Sequence, residues 1–115
     1  MAELFDMKEL EERVILVAVS TSDEDDTEAS LDELEELVKT AGATAVARSV
    51  QKRERIHPGH YLGTGKIEEL KAMLLAYDAT GIVCDDELSP AQLRNLEQML
   101  GTKVMDRTIV ILDIF

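Results

Sequence analysis

Arg13 to Val19 reads RVILVAV, a continuous, largely β-branched apolar run with no polar alternation. A strand with one wet face alternates apolar and polar residues, so an unbroken run needs cover on both faces. A buried parallel sheet follows from that segment alone. The chain has 115 residues, enough for one domain that buries roughly two-thirds of its unfolded surface. With two Phe, two Tyr and no Trp, its core must be filled by aliphatic side chains.

The rest of the chain supplies partners for that strand. Ser20 to Ser30 is polar and acidic and reads as a solvated loop. Ser30 and Glu33 have the spacing of a capping box, and Leu31, Leu34, Leu37, Val38 and Ala41 recur at helical spacing until Gly42. Thr44 to Val50 is a second β-type run. Thr64 is placed to cap a helix lined by Ile67, Leu70, Met73, Leu74 and Tyr77, and Gly81 to Cys84 is a third buried strand. Ser89, Pro90 and Gln92 predict a capped helix with Leu93, Leu96, Met99 and Leu100 on its inner face, ending at Gly101. Lys103 to Met105 is a fourth strand, after which Asp106 caps a helix starting at Arg107.

The expected fold is α/β, a four-stranded parallel sheet flanked by helices in the order β-α-β-α-β-α-β, with strand order 2-1-3-4. Residues 1–12 form an acidic segment, 13–106 the domain, and 107–115 the start of a helical arm. The last stretch, TIVILDIF, reads either as the first turns of something longer in a larger protein or as a short terminal helix docked on the core.

Charge then singles out one region. Basic against acidic side chains number three to fourteen in residues 1–42, six to three in 43–72, and three to seven in 73–115, within a net charge of −12. The positive middle contains QKRERIHPGHYLGTGK at residues 51–66, directly after the second strand, where ligand-facing loops of parallel sheets lie. Lys52, Arg53, Arg55 and Lys66 suit phosphate, and His57, His60 and Tyr61 are candidate contacts. Pro58, Gly59, Gly63 and Gly65 are candidate loop-shaping residues. Tyr61 serves either to stack on a base or to anchor the loop.

Several chemistries fit poorly. The Gly63-Thr64-Gly65-Lys66 string misses the Walker register, since His60 stands at the first glycine position and Ile67 follows the lysine. It leaves a weak anion site or a turn that needs glycine dihedrals. Two histidines without further ligands make a weak metal site. Asp85-Asp86-Glu87 resembles a Mg²⁺ cluster, but the first strand ends in Val19-Ser20-Thr21 rather than acids. The simpler reading is that Asp85, Asp86 and Ser89 serve the start of the next helix. The single cysteine, Cys84, forms no internal disulfide and reads as a core residue. No apolar run reaches the roughly 20 residues of a membrane span, and the acidic start lacks the basic flank of a signal peptide, so a cytoplasmic protein is expected.

Two strings, QKRERIHPGHYLGTGKIEELK and GIVCDDELSPAQLRNLEQMLGTKVMDRTIVILDIF, closely resemble the amino-terminal domain of the HflX family of ribosome-associated GTPases. The match runs from Arg13 onward. The resemblance implies a parent protein in which this domain and a helical arm precede a separate G domain that holds GTP and Mg²⁺, with no cofactor and no hydrolysis in this chain. It also implies binding to the large ribosomal subunit and its RNA, in some relatives with ribosome splitting under stress. The family's basic-loop pattern falls on Lys52, Arg53, Arg55, His57, Pro58, Tyr61, Gly63, Gly65 and Lys66, while Gly59-His60 departs from it. Expected partners are large-subunit RNA and the protein's own G domain, with no DNA, no integral membrane association, and a monomeric state. The alternatives are a small-ligand or nucleotide-binding α/β domain using Gly63 to Lys66 and Asp85-Asp86, and a protein-interaction module using Ile109 to Phe115.

Overall fold

The computed structural model describes residues 11–22 and 26–112. The acidic segment before residue 11, the middle of the acidic loop and the last three residues of the apolar tail lie outside the described residues. The elements are β1 Glu12–Ser20, α1 Thr27–Thr40, β2 Ala43–Lys52, α2 Thr64–Ala76, β3 Gly81–Cys84, α3 Pro90–Leu100, β4 Lys103–Asp106 and α4 Arg107–Ile111.

All strand pairs are parallel and the order is β2-β1-β3-β4, as the apolar run requires. Val14 to Ser20 are all buried. Alternate β1 residues serve opposite layers. Ile15, Val17 and Val19 pack with Ile67, Leu70, Leu96 and Leu100 of α2 and α3. Val14, Leu16 and Ala18 pack with Leu31, Leu34, Val38 and Val110 of α1 and α4. Each fully buried Leu or Val stabilises the fold by about 1.5–3 kcal/mol relative to exposure.

Helix ends follow local chemistry with three departures. Ser89 and Gln92 form the capping box around Pro90, and Gly101 closes α3 in the left-handed conformation at φ 69°. Asp106 caps α4 by accepting from Ile109 N. The first departure is α1, which starts at Thr27 with Asp26 as its cap, so the Ser30–Glu33 box does not form. Ser30 lies inside the helix and donates instead to Asp85 Oδ2 at 2.6 Å. Second, α2 is capped by Gly63 with no side-chain bond, and Thr64 is its first residue. Third, Tyr77 terminates α2 half-exposed, and its carbonyl accepts from Arg13 Nη2 at 2.9 Å, so it does not belong to the core stripe.

The carboxyl ends of all four strands lie along one edge of the sheet. β1 and β3 are neighbours although the chain reaches β3 only after β2, so the connections from β1 and β2 leave in opposite directions. This is the topological switch point at which open α/β sheets carry their ligands. The basic loop, residues 53–63, leaves β2 at that edge.

Candidate nucleic-acid interface

The loop is fastened at several points. His57 and Tyr61 face each other across a short antiparallel bridge, with Tyr61 N donating to His57 O at 2.9 Å and His57 N to Tyr61 O at 3.3 Å. α3 braces the outer side: Gln92 Nε2 donates to His57 O at 2.9 Å, and Asn95 Nδ2 to Gly59 O at 2.8 Å. On the β2 side, Gln51 Oε1 accepts from Gly63 N at 2.8 Å. A Cβ at Gly63 would stand 2.8 Å from Arg53 Nη1 and 3.0 Å from Gln51 Nε2, so the bare backbone there gives both side chains room to cross it.

Tyr61 is the anchor, and the base-stacking expectation for it is corrected. Its side chain is fully buried. β3 ends at Cys84 opposite Val17, so the Val19 N–H beyond it has no strand partner on that side. The Tyr61 hydroxyl accepts from Val19 N at 3.2 Å and donates to Asp86 Oδ2 at 2.6 Å. Burial, then proximity to Cys84 and the Asp86 hydrogen bond, holds the phenol protonated far above its ordinary range. Tyr61 also takes φ +66°, a left-handed conformation that costs a side-chain-bearing residue free energy and that the bonds around it enforce. The glycine-dihedral reading of residues 63–65 is therefore corrected as well: neither Gly63 nor Gly65 has positive φ, and a Cβ at Gly65 would meet open space.

The remaining candidates divide by exposure. Lys52, Arg55 and Pro58 are exposed and Arg53 is half-exposed. Among the described residues, neither Arg53 nor Arg55 forms an ion pair, whereas Arg48 is held by Glu28, Asp32 and Glu35 at 2.7–3.1 Å. Lys66 pairs with Glu69 at 3.0 Å, and its side chain is only 14% exposed. His57 and His60 stack with ring centroids 3.6 Å apart. His57 Nδ1 accepts from Gly59 N at 2.9 Å and His60 N at 3.1 Å, which shapes the loop tip. Its proton affinity is depressed by burial first, then by His60 and Arg53.

Asp85 and Asp86 do not cap α3, contrary to expectation. Asp86 holds Tyr61, while Asp85 bonds Ser30 and receives Arg107 Nη2 at 2.9 Å. Leu88 N is satisfied by Asp106 Oδ2 at 2.8 Å instead. Among the described residues no group of His, Cys, Asp and Glu is arranged to hold a metal ion. A cleft of about 430 Å³ beside the loop is lined by Ser20, Thr21, Ser22, Lys52, Arg53 and Glu54. Gln51, Asp86, Gln92 and Asn95 carry the loop and were not singled out for it from sequence. Their half-buried state is visible only in the fold, so no sequence signal marks them for this role.

These features define a doubly wound α/β domain that holds a braced cationic loop out from an anionic body. The chain belongs to the GTP-binding GTPase N-terminal family, whose model matches residues 28–115. It is 75% identical over 115 residues to the GTPase HflX of Lacrimispora saccharolytica, covering 100% of this chain and 27% of that protein. It is 38% identical over 112 residues to the GTPase HflX of Escherichia coli, covering 97% and 26% respectively. The chain thus spans about a quarter of the length of these relatives. A crystal structure of an SsGBP mutation variant superposes with a TM-score of 0.64 at 17% identity, over 89% of this chain and 31% of that one, a likeness of fold. No helix among the described residues is long and apolar enough to cross a membrane.

Proposed function

We propose that this domain contacts RNA of the large ribosomal subunit through its 53–63 loop, as the amino-terminal part of a cytoplasmic GTPase that splits or rescues ribosomes. The observation that carries the reading is the pairing pattern. In a chain of net charge −12, Arg53 and Arg55 lack a carboxylate partner among the described residues, on a loop held by β1, β2, α3 and the β3–α3 connection. Arginine bridges phosphates and stacks on unpaired bases, which suits folded RNA. At physiological salt the Debye length is about 8 Å, so carboxylates farther off barely oppose the contact. GTP, Mg²⁺ and hydrolysis belong to the neighbouring G domain, and this domain works as a monomer.

The ligand-binding alternative is weakened because its residues are occupied: Lys66 by Glu69, Asp85 by Arg107 and Asp86 by Tyr61. The test is charge reversal, Arg53→Glu with Arg55→Glu, in the full-length GTPase. Binding to purified large subunits should fall at least tenfold while GTP affinity stays unchanged. Unaltered subunit binding would refute the loop assignment.

A further inference from the structure

Backbone groups fix the tautomer of each ring in the stacked histidine pair. His57 Nδ1 receives two N–H donors, from Gly59 and His60, so it must carry a lone pair, and the proton of the neutral ring sits on Nε2. His60 Nδ1 lies 2.6 Å from the carbonyl oxygen of Leu62, which can only accept, so that nitrogen carries the proton. The neutral His60 ring keeps its lone pair on Nε2. Neither Nε2 bonds a described residue, and no buried side-chain nitrogen or oxygen among them lacks a partner, so both face solvent. With centroids 3.6 Å apart and planes 11° apart, the stacked pair carries one fixed N–H donor and one fixed acceptor, in the field of Arg53.

A ribonucleotide offers the complementary set, with phosphate oxygens that accept and a 2′-hydroxyl that donates. A deoxynucleotide offers only the phosphates. Resting on the RNA-contact reading above, we propose that this pair distinguishes RNA from DNA at the loop: His60 Nε2 accepts from a ribose 2′-hydroxyl while His57 Nε2–H donates to an adjoining phosphate. His57 contributes affinity for either strand, and His60 contributes the discrimination.

The test compares short single-stranded oligomers of one mixed sequence, as RNA, DNA and 2′-O-methyl RNA, by fluorescence anisotropy with the protein. RNA should bind about three- to tenfold more tightly than DNA, the range of one neutral hydrogen bond, and 2′-O-methyl RNA should fall to the DNA level. His60→Phe keeps a flat ring over His57 and should abolish the RNA preference by weakening RNA alone. His57→Asn keeps an oxygen to hold the two amides and should weaken RNA and DNA equally. Slow exchange of the Tyr61 amide, which bonds His57 O, reports that the loop is intact in each variant.

Equal wild-type binding of RNA and DNA would overturn this inference and leave the RNA-contact reading standing. Binding of neither strand would overturn both. A preference retained in His60→Phe with Tyr61 protected, or 2′-O-methyl RNA bound as tightly as RNA, would also overturn it. The methylated probe needs no variant and decides the matter even where His60→Phe disorders the loop.

Discussion

Removing one oxygen atom should test the anchoring of the loop. Tyr61→Phe retains the fully buried ring, so no cavity opens, and the change isolates the hydroxyl. Two groups lose their partner. The Val19 N–H is buried and beyond the end of β3, with no strand to replace the hydroxyl, and orphaning such a donor costs about 1–3 kcal/mol. Asp86 is half-buried and water can satisfy it, so its loss adds little. The expected cost is about 2 kcal/mol, read from the urea midpoint at constant slope. With an unfolding entropy of about 2.1 cal/mol/K per residue, the melting temperature should fall by about 8 °C. Faster exchange of the Val19 and Tyr61 amides should accompany the loss. A change below about 0.5 kcal/mol would mean that the Val19 amide finds another acceptor, and the anchoring argument would fail.

Other outcomes can be checked separately. Asp85→Ala removes the acceptor shared by Ser30 and Arg107 and should cost about 1.5–3 kcal/mol in urea denaturation, the range for hydrogen bonds to a charged group. His57 is held neutral in the fold, so its folded proton affinity lies below the unfolded value of about 6.5, and its contribution is complete above that pH and lost as pH falls toward the folded value. His60 stacks on it, Arg53 lies near with positive charge, and Gln92 and Asn95 hold the surrounding loop carbonyls with neutral amides, so the protection factors of the Gly59 and His60 amides should drop below about pH 6.5, and His57→Asn should remove that dependence. Burial first, then Asp106, Asp86 and Asp85, pushes the Cys84 thiol up, so iodoacetamide should label it at mildly alkaline pH only after denaturation, as mass spectrometry would show.

The parallel sheet and its order were readable because each strand carries its own signature. RVILVAV can only be a doubly covered strand, and Ser89, Pro90, Gln92 and Gly101 punctuate α3 without help from elsewhere. The start of α1 was less legible because Asp26 and Ser30 are both good caps. The choice was made by Asp85, 55 residues away, which takes the Ser30 hydroxyl. The loop's composition advertised a cationic surface, but its architecture depends on Gln92 and Asn95 reaching back 35 and 36 residues to carbonyls, contacts with no local signal. A glycine-rich string also drew attention to the wrong backbone. Tyr61 holds the left-handed position because its hydroxyl has work inside the sheet that a glycine could not do. The pairing of Lys66 with Glu69 was not legible, because an i,i+3 contact depends on how the first turn of α2 seats its side chains.

Arg107, the first residue of α4, also meets Glu33 Oε1 at 3.0 Å and the Ser30 carbonyl at 3.1 Å besides Asp85. One guanidinium thereby rivets the base of the last helix to both a sheet edge and a neighbouring helix. Torque applied to α4 would turn the whole domain as a single lever instead of flexing at the joint, and the cationic tip at the same sheet edge would swing with it.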